Sequence, residues 1–205
     1  MSTSRRLSPH IWALAFALGI ALSASACSMA MKHDALAPSP KQFTDEVRTS
    51  RRAEGIDGKV GWSRFTLAAI PLVPVNLDGD GNEQMMDQVR DALKQVGYRP
   101  VIAEDARPSS SPLFKCKVEK FWFNNYTWPV IFPFVPTWGD VEVTTTLVSP
   151  SGMPLWSKSF KGSGFTVNPL SGYTGAVRQS MNQILDQMVK ELSGDEFRRA
   201  LLTAG

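Results

Sequence analysis

Three stretches carry residue types that could do chemistry. The run LDGDGNE, Leu77 to Glu83, sets Asp78, Asp80 and Asn82 at alternate positions, like the oxygen ligands that open a calcium loop. A helix–loop–helix calcium site needs glycine at its sixth position and glutamate at its twelfth. Counted from Asp78, those positions hold Glu83 and Val89. The run therefore reads as a tight turn whose Asp and Asn side chains bond nearby backbone and cap the next helix. Cys116 stands between Lys115 and Lys117, cations that could activate a thiol. Strand alternation places Cys116 with Phe114 and Val118 and sends the lysines to the other side, so an inert buried thiol is expected. KGSGFTVNPLSGYTG is rich in small turn formers but lacks the lysine–hydroxyl ending of a phosphate loop. It reads as a connection into a helix. The two histidines, His10 and His33, both precede the expected folded body. A body without imidazole loses most nucleophile–base pairs and most zinc or copper sites. No catalytic residue, metal ligand or cofactor is assigned, and the chain reads as a non-enzyme.

Composition points the same way. The chain of 205 residues is 43% hydrophobic and 20% charged, which suits one ordinary domain once leader and linker are set aside. Its formal charge is +3, and Arg5 and Arg6 supply two of those charges. A nearly neutral body leaves no excess of cations for phosphates, so nucleic acid is not an expected partner.

The N-terminus reads as an address. Arg5 and Arg6 precede an apolar run from Ile11 to Leu22, and small residues Ser23 to Ala26 lead into Cys27. The run of about twelve residues is shorter than the roughly 20 that span a bilayer, and the three-part plan is that of a secretory signal. Ala24-Ser25-Ala26-Cys27 resembles the lipobox of bacterial lipoproteins, with Ala24 where leucine is usual. The resemblance implies cleavage before Cys27, lipid on its sulfur and an acylated N-terminus. Several acyl chains anchor stably where one is marginal. Ser28, in place of aspartate, implies the outer membrane, with the domain facing the periplasm. A Cys27–Cys116 disulfide is allowed by count, but lipidation accounts for Cys27 better.

Residues 1–26 are thus expected to be signal, 27–62 a lipidated tether and 63–205 the domain. Pro38 and Pro40 suit the tether, and the lone pair Arg51-Arg52 reads as solvated or near headgroups. FTDEVRTSRRAEG is either a short helix, with Thr44 as cap and Gly55 as stop, or more linker. RFTLAAIPLVPV is β-rich, with Pro71 and Pro74 marking an edge. NEQMMDQVRDALKQVGY is a helix capped by Asn82 and stopped by Gly97, with Met86, Val89, Leu93 and Val96 on one face. RPVIAED is a short strand. LFKCKVEKF and DVEVTTTLV alternate, the latter with Val141, Val143, Thr145 and Leu147 on one side. The SPSGMP turn returns through LWSKSFKG. A long helix follows with Val177, Met181, Ile184, Leu185, Met188 and Leu192 inward, and DEFRRALL is a short final helix capped by Asp195. Met85, Met86, Met181 and Met188 read as core fillers.

The expected fold is α+β, a two-layer sandwich of one mixed four- to five-stranded sheet with two main helices on one face. This order, with the LVSPSGMPLWSKSFKGSG hairpin and the C-terminal helix, is similar over about residues 64–192 to the lipopolysaccharide-assembly lipoprotein and related outer-membrane lipoproteins. That resemblance is one of element order and carries no site. It implies an envelope-assembly or lipid-transport accessory that binds a protein or lipid; the alternatives are a structural spacer or stress protein, or a hydrolase with an acidic pair.

The candidate contact surface is FWFNNYTWPVIFPFVPTW, Phe121 to Trp138, an uncharged run with three tryptophans. The preceding strand is expected to end near Phe123 and the next to begin near Asp140. Pro129, Pro133 and Pro136 forbid a helix or central strand, so the segment is expected to be a long loop. Trp128, Ile131, Phe132, Phe134 and Trp138 are its candidate partner or lipid contacts, with packing over the bare sheet face or dimerisation as alternatives. The oligomeric state stays open.

Overall fold

The structure is a computed structural model that describes residues 28–29, 31–36, 38–39, 42–65, 70–104, 111–127, 136–167 and 172–203. Among these, the elements in chain order are β1 (Ser28–Met29), β2 (Glu46–Thr49), β3 (Lys59–Phe65), β4 (Ile70–Leu77), α1 (Gly81–Val96), β5 (Arg99–Ile102), β6 (Leu113–Thr127), β7 (Thr137–Val148), β8 (Pro154–Thr166), α2 (Gly172–Leu192) and α3 (Asp195–Leu202).

One mixed sheet organises the fold. β6, β7 and β8 form an antiparallel meander, with β6 paired to β7 from Leu113↔Val148 to Asn125↔Thr137. The other edge of β6 is shared. β2 lies parallel beside Leu113 and Phe114, Glu54 bridges to Lys117, and β3 lies parallel beside Phe123 to Thr127. β5 extends the sheet beyond β2; β4 and then β1 extend it beyond β3. A shift in pairing between Val118 and Lys120 keeps the inward set on one side, so Phe114, Cys116 and Val118 are followed inward by Phe121 and Phe123.

The helices cover that inward face. On α1, Met86, Val89, Leu93 and Val96 are fully buried, as are Val177, Met181, Ile184, Leu185, Met188 and Leu192 on α2. Both expected stripes are therefore core. α2 lies close on β8 because Gly162 and Gly164 face it: a Cβ at Gly164 would sit 1.8 Å from the Ala176 carbonyl oxygen. α3 seats Phe197 edge-on against Tyr98, Phe114 and Trp156, with ring centroids 5.0 to 5.5 Å away.

The α+β class and the helix-covered face match expectation; the strand count and several boundaries do not. Among the described residues the sheet has eight strands where four to five were expected, while the two main helices and the short final helix are all present. RFTLAAIPLVPV is not one strand: its two ends belong to β3 and β4, which pair antiparallel. Glu46–Thr49 is a strand and not helix or linker, because β5 and β6 flank it and take its backbone bonds on both sides. Asp80, not Asn82, caps α1, accepting from the Asn82 and Glu83 N–H groups at 3.0 and 3.2 Å. The Asn82 amide instead bonds the Ile56 N–H and C=O. Gly97 ends α1 at φ 97°, as expected. α3 is capped by Gly194, without a side-chain bond, and not by Asp195.

The expected 27–62 tether is the largest correction. Phe43, Val47, Ala53, Ile56 and Val60 are buried, and so is Met31. The segment from Met31 runs along α1 and α2. Its Met31 N–H donates to Gln84 Oε1, Asp34 exchanges two bonds with the Asn182 amide, and Gln95 Nε2 donates to the Leu36 carbonyl. The Phe43 N–H then donates to the Val96 carbonyl at 2.9 Å. Arg90 clamps the next stretch from α1: its buried guanidinium bonds Asp87 and the Arg51 carbonyl at 2.5 and 2.6 Å. Arg52 meets Asp80 at 2.5 Å.

Leu93 sits mid-stripe on α1 with no exposure. Leu93→Asp is expected to remove cooperative folding or cost more than about 3 kcal/mol, because the carboxylate has no buried partner there. A denaturant melt checks it; an unchanged midpoint would place the core elsewhere.

Candidate functional site

The face of the sheet away from the helices carries the site candidate. Pairing aligns one residue from each of four strands: Trp62 opposite Asn124, Asn124 opposite Trp138, and Trp138 opposite Phe165. The neighbouring row holds Arg64 opposite Tyr126. In a strand, alternate residues share a face, so all six point the same way. Trp138 is 39% exposed and Phe165 is 56% exposed. The Trp138 ring stacks on Tyr126 with centroids 4.6 Å apart and planes 13° apart. The Lys59 ammonium lies 3.7 Å from the centre of the Trp62 ring, and Arg64 Nε donates to Asn124 Oδ1.

The same face changes character along the strands. Lys120 pairs with Asp140 and Lys161 with Glu142, each at 2.8 Å. Beyond them, the Thr144 and Ser159 hydroxyls bond each other, as do those of Thr146 and Ser157. One end of the face is thus aromatic with two cations; in the next row half-buried Trp122 stands opposite Asp140, and beyond it the face carries cross-strand ion pairs and hydroxyl pairs. The aromatic end presents flat ring area at little entropic cost, with two cations beside it.

Trp138 is where the sequence-derived surface and this row meet, but it lies in β7 and not in a loop. β6 continues through Thr127 and β7 begins at Thr137, so both strands reach further into the aromatic run than expected. Trp128, Ile131, Phe132 and Phe134 lie outside the described residues, as does Cys27. Trp62, Tyr126 and Phe165 were missed by sequence reading. Alternation could have found Phe165, since Phe160, Gly162 and Gly164 all point inward. Trp62 joins the row only because β3 pairs with β6, a contact between distant segments.

Two further expectations can be placed. Cys116 is buried and free, and burial pushes its thiol up to about 12. That matches the inert reading. His33 does not precede the body: its Nε2 lies 3.6 Å from Asp91 Oδ2 on α1, so it belongs to the segment strapped over the helices. Among the described residues, no group of three His, Cys, Asp or Glu side chains is arranged to hold a metal ion.

No protein-family model and no curated protein matches this chain. Solved structures do. A Xanthomonas campestris protein of family DUF330 is similar, with a TM-score of 0.50 and 16% identity, covering 86% of this chain and 95% of its own. At that identity the likeness concerns the fold alone. A Caulobacter crescentus protein provisionally designated a lipoprotein aligns at TM-score 0.35 and 13% identity, over 70% of this chain and 91% of its own. A Neisseria meningitidis lipoprotein aligns at 0.32 and 13%, over 60% and 84%.

The two faces of β8 are expected to respond differently to truncation. Phe160→Ala, on the helix side, is expected to cost about 3–5 kcal/mol. Phe165→Ala, on the open side, is expected to stay within about 1 kcal/mol. Paired denaturant melts check this, and equal losses would show that the open face is core. Cys116 is expected to resist thiol reagents at pH 8 in the folded chain and to react once denaturant is added. Site-mapped mass spectrometry of the labelled chain reads this directly.

Proposed function

We propose that this chain is a bacterial envelope lipoprotein, anchored through lipid on Cys27 to the outer membrane and facing the periplasm. It works by binding a protein or lipid partner and not by catalysis, as an accessory in envelope assembly or lipid transport. The observation that carries this reading is the N-terminal sequence: a basic pair, a short apolar run, small residues and then Cys27. The exposed aromatic row adds support, because a contiguous apolar patch on an otherwise polar sheet face suits a contact surface. Trp128, Ile131, Phe132 and Phe134, which follow β6 directly, remain proposed contributors to that contact together with Trp138.

Intact-mass analysis of the membrane-extracted chain tests the anchor. The expected product begins at Cys27 and carries added acyl mass, and it sediments with outer-membrane fractions. A soluble product with a free Cys27 thiol overturns the reading.

A further inference from the structure

We infer that the aromatic row Trp62–Asn124–Trp138–Phe165 is a membrane-docking edge that lays the open sheet face against the headgroup layer of an anionic bilayer. The inference rests on the anchored reading above and deepens it by naming the occupant of the surface.

Three observations favour a bilayer. The first is continuity with the anchor. The row continues across β3 into β4, where Trp62 is paired with Pro74. Ser28 in β1 pairs with Asn76, two residues further along β4. Strands lie about 4.8 Å apart and rise about 3.3 Å per residue, so Ser28 and Pro74 are within roughly 10 Å of each other. Any lipid on Cys27 is attached one residue before Ser28. The structure leaves little slack there, since the chain is paired at Ser28 and bonded to α1 again at Met31. A short attachment at the sheet edge brings the sheet itself to the membrane.

The second is chemistry. Trp and Tyr favour the membrane–water interface, where the ring body is half apolar and its polar tip stays wet. Trp62, Tyr126 and Trp138 have that character, and Phe165 adds an exposed apolar ring. The third is charge. The six residues of the two rows include Arg64 and no carboxylate, and Lys59 stands over the Trp62 ring. The acidic side chains of this face begin one row further, at Asp140, which Lys120 pairs. Cations beside interfacial rings suit anionic headgroups.

Tryptophan quenching by brominated lipid tests the inference on the membrane-extracted chain reconstituted into phosphatidylethanolamine–phosphatidylglycerol vesicles. Trp138→Phe and Trp62→Phe are each expected to remove part of the quenched signal, whereas Trp156→Phe, on the buried side, should leave it unchanged. Purified chain added to the same vesicles should lose at least about tenfold in partitioning in the Trp138→Ser, Phe165→Ser double variant. Partitioning should also fall when phosphatidylcholine replaces phosphatidylglycerol. Intact mass of the same preparation keeps the two readings apart. A lipidated chain whose Trp138 and Trp62 are not quenched overturns docking and leaves the anchor standing. An unlipidated chain whose Trp138 and Trp62 are quenched overturns the anchor and supports docking. Cross-linking through the row between copies, lost in Phe165→Ser and indifferent to vesicles, overturns docking in favour of a second copy.

Discussion

A strand of fifteen residues has to satisfy N–H and C=O groups along both edges, and β6 meets that demand in two different ways. β7 covers one edge almost end to end as a sequence-adjacent antiparallel partner. The other edge is completed piecewise by one continuous segment, which pairs as β2, touches again at Glu54 and pairs once more as β3. Between these contacts, the Ser50 and Glu54 N–H groups donate to Phe114 and Cys116, and the Val118 N–H donates to Glu54. Buried backbone groups cannot be left unpaired cheaply, so this edge decides where residues 46–65 must run. Within the sheet, β5 pairs with β2, β4 with β3, and β1 with β4.

The helices depend on the same strand from above. The inward residues of β6 and its neighbours make a floor on which α1, α2 and α3 bury their stripes. Gly162 and Gly164 let α2 approach β8 closely, and larger side chains there would push against the Ser180 and Ala176 carbonyls. Arg90 ties α1 to the carbonyls of Ser50 and Arg51 through charge-assisted bonds. Its partners lie just past β2, so the clamp holds the point where the edge segment leaves β6.

Covering one face leaves the other to define how the molecule meets its surroundings. Most of that face is closed by cross-strand ion pairs and hydroxyl pairs, which satisfy each other and offer little to a partner. The aromatic end is different, because rings stacked on rings keep their outer surfaces free. The bonds that Met31, Asp34, Leu36 and Phe43 make to the helices hold the N-terminal segment against the covered side of the sheet.

Periodicity alone determined the parts built from local repeats. The α1 and α2 stripes, the Cys116 side of β6, the inward set of β7 and the hairpin at 149–153 all follow from spacing within a single segment. The α+β class follows from them, since stripes and an alternating sheet need each other for burial. The tertiary structure decided what depends on distant partners. EVRT, Glu46 to Thr49, has no helical stripe and too few residues to declare itself, and becomes a strand because β5 and β6 stand on either side. Met31, Leu36 and Phe43 are too sparse to mark a buried segment, yet the Gln84, Gln95 and Asn182 side chains hold it down. The surface row is of the same kind. Trp138 was legible as an exposed aromatic, but its alignment with Trp62 and Phe165 exists only once β3, β6, β7 and β8 are in register, because pairing between strands, and not sequence distance, sets which side chains are neighbours.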